Sequence, residues 1–263
     1  WNQKAADRMI VQYRKSVWSD GSDGAARAEL EKARAYNRNL AAAGGGMTAE
    51  GTGGEYEALL DPDGNGVMGY LEIPKISVCL PIGHGTDDEV LAGEVGHLPG
   101  SSLPVGGEGT HAVLTGHRGL PSARLFTDLD QLAENDRFRI TVLGEVLDYE
   151  VREIQTVLPE ETQNLRIRSG EDLVTLVTCT PYGVNTHRLL VTGERVHGEA
   201  AGNSEAAGGQ DTARDESENR KASEEDARGD HRTLWEIRLS RNPSAVLGTA
   251  GLVLMGAALL NLL

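Results

Sequence analysis

The chain has 263 residues, enough for one sizeable domain with further segments around it. Its 40 acidic residues against 25 basic ones leave a formal net charge of −15, which excludes a nucleic-acid binder, since such proteins carry basic patches. The two cysteines exclude a disulfide framework; they allow one bridge, Cys79 to Cys179, or a thiol with chemistry of its own.

The sequence opens at Trp1 rather than at a methionine, as a processed or partial chain does, so any leader or N-terminal anchor is expected outside it. Residues 1–40 are predicted helical. Ala6, Met9, Ile10, Tyr13 and Val17 fall at helical spacing on one stripe, Asp20-Gly-Ser-Asp-Gly interrupts it, and Ala25 to Leu40 resumes it. Residues 41–68 form a glycine-rich, lid-like loop and the lead-in to the next domain. Within residues 69–197 the pattern changes to short alternating runs: GYLEIPKI, HAVLTGH, RFRITVL, LDYEVREIQTVL, DLVTLVTC and HRLLVTGERV. Such runs, separated by Gly, Pro, Asn or Asp, predict a closed barrel or a sandwich, with short helical turns near TDDEVLAGEV and SARLFTDLDQL. Residues 198–243 are an acidic linker whose first 34 positions hold no large apolar residue, the composition of a disordered segment. Residues 244–263 are predicted to span a membrane, because the run from Ala245 to Leu263 carries no charge over 19 positions and a bilayer-spanning helix needs about 20.

Cys179 ends an apolar strand and opens the turn Thr-Pro-Tyr-Gly. Arg188 begins the next strand after eight residues, so the two strands are expected to be antiparallel neighbours with Cys179 and Arg188 at one mouth. A cation there favours thiolate. Two histidines compete as its partner. His117 lies in the glycine-flanked loop of LTGHRGLP; His187 adjoins Arg188, and successive strand residues face opposite sides. His84, His97 and His111 are read as structural or solvated. The plain alternatives are a buried structural thiol and a solvated loop histidine. A separate pattern, DPDGNGVMGYLE, places Asp61, Asp63, Asn65, Gly66 and Glu72 at the positions of a calcium-binding EF-hand loop. GYLEIPKI after it reads as a strand rather than the required helix, so a turn into the first strand is the expected reading and no metal or other cofactor is assigned.

TLVTCTPYGVNTHRLLVTGERV resembles the catalytic segment of sortases, with its Thr-Leu-x-Thr-Cys signature and downstream arginine. HAVLTGHRGLPSARLFTDLD, GVMGYLEIPKI and the long run from Leu80 to Val113 resemble class C sortases, the pilus-assembling branch. The resemblance implies a mainly β fold, an eight-stranded sortase β-barrel with N-terminal helices, short peripheral helices and a C-terminal transmembrane helix. It implies a cysteine transpeptidase with Cys179 as nucleophile, His117 as general acid/base and Arg188 at the oxyanion and substrate, with Thr178 beside the substrate. Asp128 and Asp130 are the nearest carboxylates to orient His117, with helix capping as their other reading. The implied partners are an LPxTG-like sorting signal, a pilin lysine as acceptor and the membrane. The implied place is the plasma membrane of a Gram-positive envelope, with the catalytic domain outside. Arg232, Arg238 and Arg241 before the predicted span favour the opposite orientation by charge alone.

Class C sortases usually carry a lid with an Asp-Pro-aromatic anchor, expected here between Tyr36 and Tyr56. That interval holds none, which leaves Met47 and the Asp61-Pro62 pair as substitutes. Two further readings are a housekeeping sortase that anchors proteins to wall precursor and a non-enzymatic surface or pilus subunit. The latter needs an LPxTG-like motif just before its apolar tail, and RLSRNPSAVLG has none.

Overall fold

The computed structural model describes residues 2–18, 23–44, 54–119 and 124–196. Met47, the predicted linker and the predicted membrane span lie outside these residues. Among the described residues no helix is long and apolar enough to cross a membrane.

Among the described residues four helices, α1 (Asn2–Val17), α2 (Asp23–Ala42), α3 (Gly54–Glu57) and α4 (Asp88–Leu91), accompany eight strands. The strands are β1 (Val67–Ile73), β2 (Val78–His84), β3 (Val95–His97), β4 (Thr110–Thr115), β5 (Arg137–Val142), β6 (Glu145–Val157), β7 (Asp172–Thr180) and β8 (His187–Arg195). They close into a barrel in the order β1-β2-β3-β4-β7-β8-β6-β5. Closure leaves no free sheet edge. Two pairings, β2 with β3 and β4 with β7, are parallel; the rest are antiparallel.

The expected helical stripe is the buried side of α1: Ala6, Ile10, Tyr13 and Val17 are buried, and Met9 sits at its margin. Tyr13 anchors it. Its hydroxyl donates to the Met68 carbonyl at 2.8 Å and accepts from the Leu143 amide at 2.7 Å, joining α1 to β1 and to the β5–β6 turn. α2 is tied down by polar contacts. Asn37 exchanges two hydrogen bonds with the backbone of Leu103, at 3.0 and 2.7 Å, and Arg34 grips both carboxylate oxygens of Glu145. Inside the barrel Phe138 stacks on Tyr149 with ring centres 5.5 Å apart. Gly193 allows this approach, since a Cβ there would fall 2.5 Å from the Phe138 ring.

The segment that carries the EF-hand-like pattern and the Asp61-Pro62 pair is a turn leading into β1. The Asp61 carboxylate accepts from the Gly66 amide at 3.0 Å and that of Asp63 from the Asn65 amide at 3.3 Å, while Pro62 is exposed. Glu72 lies in β1, paired with Cys79 and Arg139, where an EF-hand requires helix. Among the described residues no group of three or more His, Cys, Asp or Glu is arranged to hold a metal ion. The chain before this turn is fastened to α2 and the end of β2: the Leu60 amide donates to Glu29 at 3.1 Å, and the Leu59 carbonyl lies 2.7 Å from the His84 ring. Asp61 is thus used in its own turn.

His97 is wholly buried. Its Nε2 lies 2.8 Å from the Ser102 carbonyl, so Nε2 carries the proton and Nδ1 accepts from the Tyr56 hydroxyl at 2.9 Å. Burial pushes its pKa down to about 4. The unfolded chain therefore takes up a proton near the ordinary histidine value of about 6.5, whereas the folded chain does not until much lower pH. Stability is full above about 6.5 and falls as the pH drops toward about 4. The melting temperature should fall across that window, and His97→Asn should flatten the slope; an unchanged slope would acquit His97.

Candidate active site

The site lies where β4, β7 and β8 run side by side. β4 pairs with β7 in the register Val113 to Thr175 and Thr115 to Val177. Two hydrogen bonds carry the pairing beyond the strand: the Gly116 amide donates to the Val177 carbonyl at 3.1 Å, and the Thr178 hydroxyl donates to the Gly116 carbonyl at 2.7 Å. Continuing the register by one repeat of two sets His117 opposite Cys179. On its other side Cys179 is the cross-strand partner of Arg188. His117, two residues past the end of β4, therefore falls in one row with Cys179 of β7 and Arg188 of β8, neighbouring strands lying roughly 5 Å apart. Because side chains alternate, the three belong to one face.

The same face is apolar below the row. Val113, Val177 and Leu190 pack with Val157 and Leu165, and Leu98 lies against them. Leu165 comes from the β6–β7 connection, which also covers a buried polar chain. His111 lies 2.9 Å from the Arg166 carbonyl and 2.7 Å from the Thr175 hydroxyl, which in turn meets Thr192 at 2.8 Å. His111 and His97 are structural, and each ring nitrogen has a partner.

Cys179 is a free thiol, partly exposed at the end of β7, and Cys79 is buried. No bridge joins them. Arg188 is only 6% exposed. One Nη donates to the Asn185 and His187 carbonyls at 3.3 and 3.2 Å, and Nε is buried without a partner among the described residues. Its guanidinium is thus fixed against the β7–β8 turn with donor capacity left over. His117 is half-buried. Burial holds its pKa below the ordinary histidine range, and the Asp88 carboxylate of α4 opposes that shift. His187 sits one place along from Arg188, on the other face, with its ring 2.9 Å from the Thr186 hydroxyl.

Three expectations need correction. Thr178 is 1% exposed, and its hydroxyl is used in fastening the His117 segment to β7. It lies on the face opposite Cys179, so it supports the site and does not line it. Asp130 and Asp128 serve arginines: Asp130 accepts from Arg118 at 2.5 Å, and Asp128 pairs with Arg124. With both carboxylates taken by arginines, neither is left to orient His117, and the Asp128 side chain makes no cap bond. The sequence reading passed over Arg118. Its one signal was a charged residue set between His117 and Gly119 in an otherwise uncharged turn.

Residues 71–196 match the sortase domain family. Sortase D of Bacillus subtilis (strain 168) is 31% identical over 143 residues, which cover 53% of this chain and 69% of that protein. Sortase C1 from Streptococcus agalactiae has a crystal structure that is 46% identical, with a TM-score of 0.68, over 73% of this chain and all of that one. A sortase C from Clostridium perfringens, solved with the C-terminal cell wall sorting motif, is 39% identical with a TM-score of 0.62, over 73% of this chain and 99% of that one. The class is that of a cysteine transpeptidase carried on a closed β-barrel. The chain belongs to the sortase family, on its class C branch.

The electrostatic setting of His117 can be tested directly. An NMR titration of its ring should give a midpoint below about 6.5. Asp88→Asn should lower it further, since that carboxylate favours the charged ring. A midpoint at or above 6.5 would contradict the burial argument.

Proposed function

We propose that the enzyme cleaves an LPxTG-like sorting signal between Thr and Gly and joins the acyl part to a lysine amine of a pilin. The observation that carries this reading is the row His117, Cys179, Arg188 across β4, β7 and β8. The Cys179 thiolate attacks the threonine carbonyl and forms a carbon–sulfur bond. The oxyanion that develops takes the spare N–H groups of Arg188, which are already fixed in a buried position and need no reorganisation. The carbon–nitrogen bond then breaks, and His117 as imidazolium delivers its proton to the leaving glycine amine. In the second half the acceptor amine attacks the thioester, loses a proton to His117, and expels the thiolate.

The depressed His117 pKa suits this sequence in one respect and limits it in another. A neutral imidazole takes the amine proton readily, while the imidazolium needed for the first step is a minor form at neutral pH. Class C relatives, and one solved with a sorting motif, support the sorting signal as substrate. The uncharged run from Ala245 to Leu263 supports a membrane-held enzyme, and the resemblance to class C sortases supports a barrel acting on the outer side of a Gram-positive plasma membrane.

Incubation with an LPxTG-type peptide, followed by mass spectrometry, should reveal a thioester adduct on Cys179. Cys179→Ala should abolish it and Cys79→Ala should leave it. His117→Ala should slow turnover by at least the roughly 10²–10⁴-fold typical of general acid–base catalysis, with His187→Ala far milder. An adduct that survives Cys179→Ala, or equal losses from the two histidine variants, would overturn the assignment.

A further inference from the structure

Arg118 follows His117 directly, yet its side chain is only 8% exposed and reaches two other parts of the chain. One Nη donates to the Thr180 hydroxyl at 3.1 Å; the other meets Asp130 at 2.5 Å. Its Cζ lies 5.9 Å from the centre of the Tyr182 ring. The ring lies on Gly119, where φ is +81° and a Cβ would fall 2.9 Å from Cε2, so only glycine fits between Arg118 and this ring. One guanidinium thus joins the loop that carries His117 to the loop that begins at Cys179, and braces both on the 3-10 turn Leu129–Gln131.

The arrangement follows from register. If His117 stands opposite Cys179, Arg118 stands opposite Thr180, one step along and on the other face. The Arg118–Thr180 bond is therefore a rung directly behind the reacting pair, where β4 has ended and the backbone ladder no longer holds the two chains together. Nε of Arg118 is buried and has no partner among the described residues, and Asp130 is 49% exposed. A buried guanidinium with an unmet donor and a half-exposed partner adds little net stability. What it does fix is a distance.

We propose that Arg118 is a positioning residue for the transpeptidation, holding the His117 and Cys179 loops at the spacing that proton transfer requires. It acts through Thr180, Tyr182 and its own backbone, and touches neither the thiol nor the substrate. The proposal rests on the roles given above to His117 and Cys179. A loss of alignment of about 1 Å at a reacting pair is enough for a rate loss approaching 10²-fold. Lysine cannot replace the planar fork, which reaches two acceptors and a ring face at once.

The test uses the enzyme with an LPxTG-type peptide and the variants Arg118→Met, Arg118→Lys, Thr180→Val and Asp130→Asn. Arg118→Met should lower kcat by about tenfold or more while KM stays within about twofold, the signature of lost alignment and not of lost binding. The pH profile of Cys179 alkylation should shift in the same variant, because His117 no longer sits at its fixed distance from the thiol. Arg118→Lys should recover only part of the rate. Thr180→Val should lower kcat alone but add little on top of Arg118→Met, since both remove one rung. Unchanged kcat and an unchanged alkylation profile in Arg118→Met, with the Cys179→Ala adduct lost, would overturn the proposal and leave the catalytic reading standing. Survival of the adduct in Cys179→Ala would instead sink the catalytic reading itself. If Arg118→Met fails to fold, Thr180→Val and Asp130→Asn decide: both at wild-type kcat would overturn the proposal.

Discussion

The parallel pairing of β4 with β7 is the constraint on which the site depends. A hairpin would have brought Cys179 to Arg188 in any case, because β7 and β8 are neighbours in sequence and antiparallel in space. Nothing local brings His117 to Cys179. Parallel strands cannot be joined by a tight turn, and here the intervening chain first makes β5 and β6, which join the sheet beyond β8. Only closure of the whole sheet sets Thr115 against Val177 and so delivers the histidine two residues later. Catalytic geometry in this protein is therefore a property of the complete barrel, and the N-terminal helices contribute to it by bolting down β1 and the β5–β6 turn through Tyr13 and Arg34.

The same constraint explains the division of labour between the two faces at the strand ends. On the face of Cys179 an apolar cluster lies below the row, Arg188 is buried, and burial lowers the pKa of His117. On the opposite face Thr178 and Arg118 tie the strand ends together with hydrogen bonds that begin where the β-ladder stops. On the proposed assignment, alternate residues of one segment divide reactivity and rigidity: Cys179 is the nucleophile, while the Thr178 and Thr180 hydroxyls tie the strand ends together. In a strand of period two, a one-residue slip would exchange these tasks, so the register is a functional quantity as much as a structural one.

Much of this was legible in the sequence, for reasons that can be named. The stripe of α1 could be read because its residues bury one face against the barrel, and β6, β7 and β8 because they are long and strongly patterned. β3 was not. It is three residues long with glycine at its centre, and tertiary pairing makes it a strand. The alternation that separates His187 from Arg188 could be stated from sequence. The burial of Thr178 could not, since the signature around Cys179 does not reveal which face the barrel encloses. Arg118 was illegible for the same reason: its partners Thr180 and Asp130 lie 62 and 12 residues away, and only folding makes them adjacent.

The central claim is that the β4–β7 register places residue 117 beside Cys179 on one face. Dibromobimane tests it most directly, because the reagent becomes strongly fluorescent only when two thiols close enough for its short arms are alkylated together. With H117C in a Cys79→Ala background, position 117 and Cys179 should be bridged rapidly, with one reagent per chain and a cross-linked peptide pair visible by mass spectrometry. H187C in the same background should label without bridging, as its side chain faces away. Single-arm labelling at position 117, or efficient bridging from position 187, would contradict the register and the site built on it.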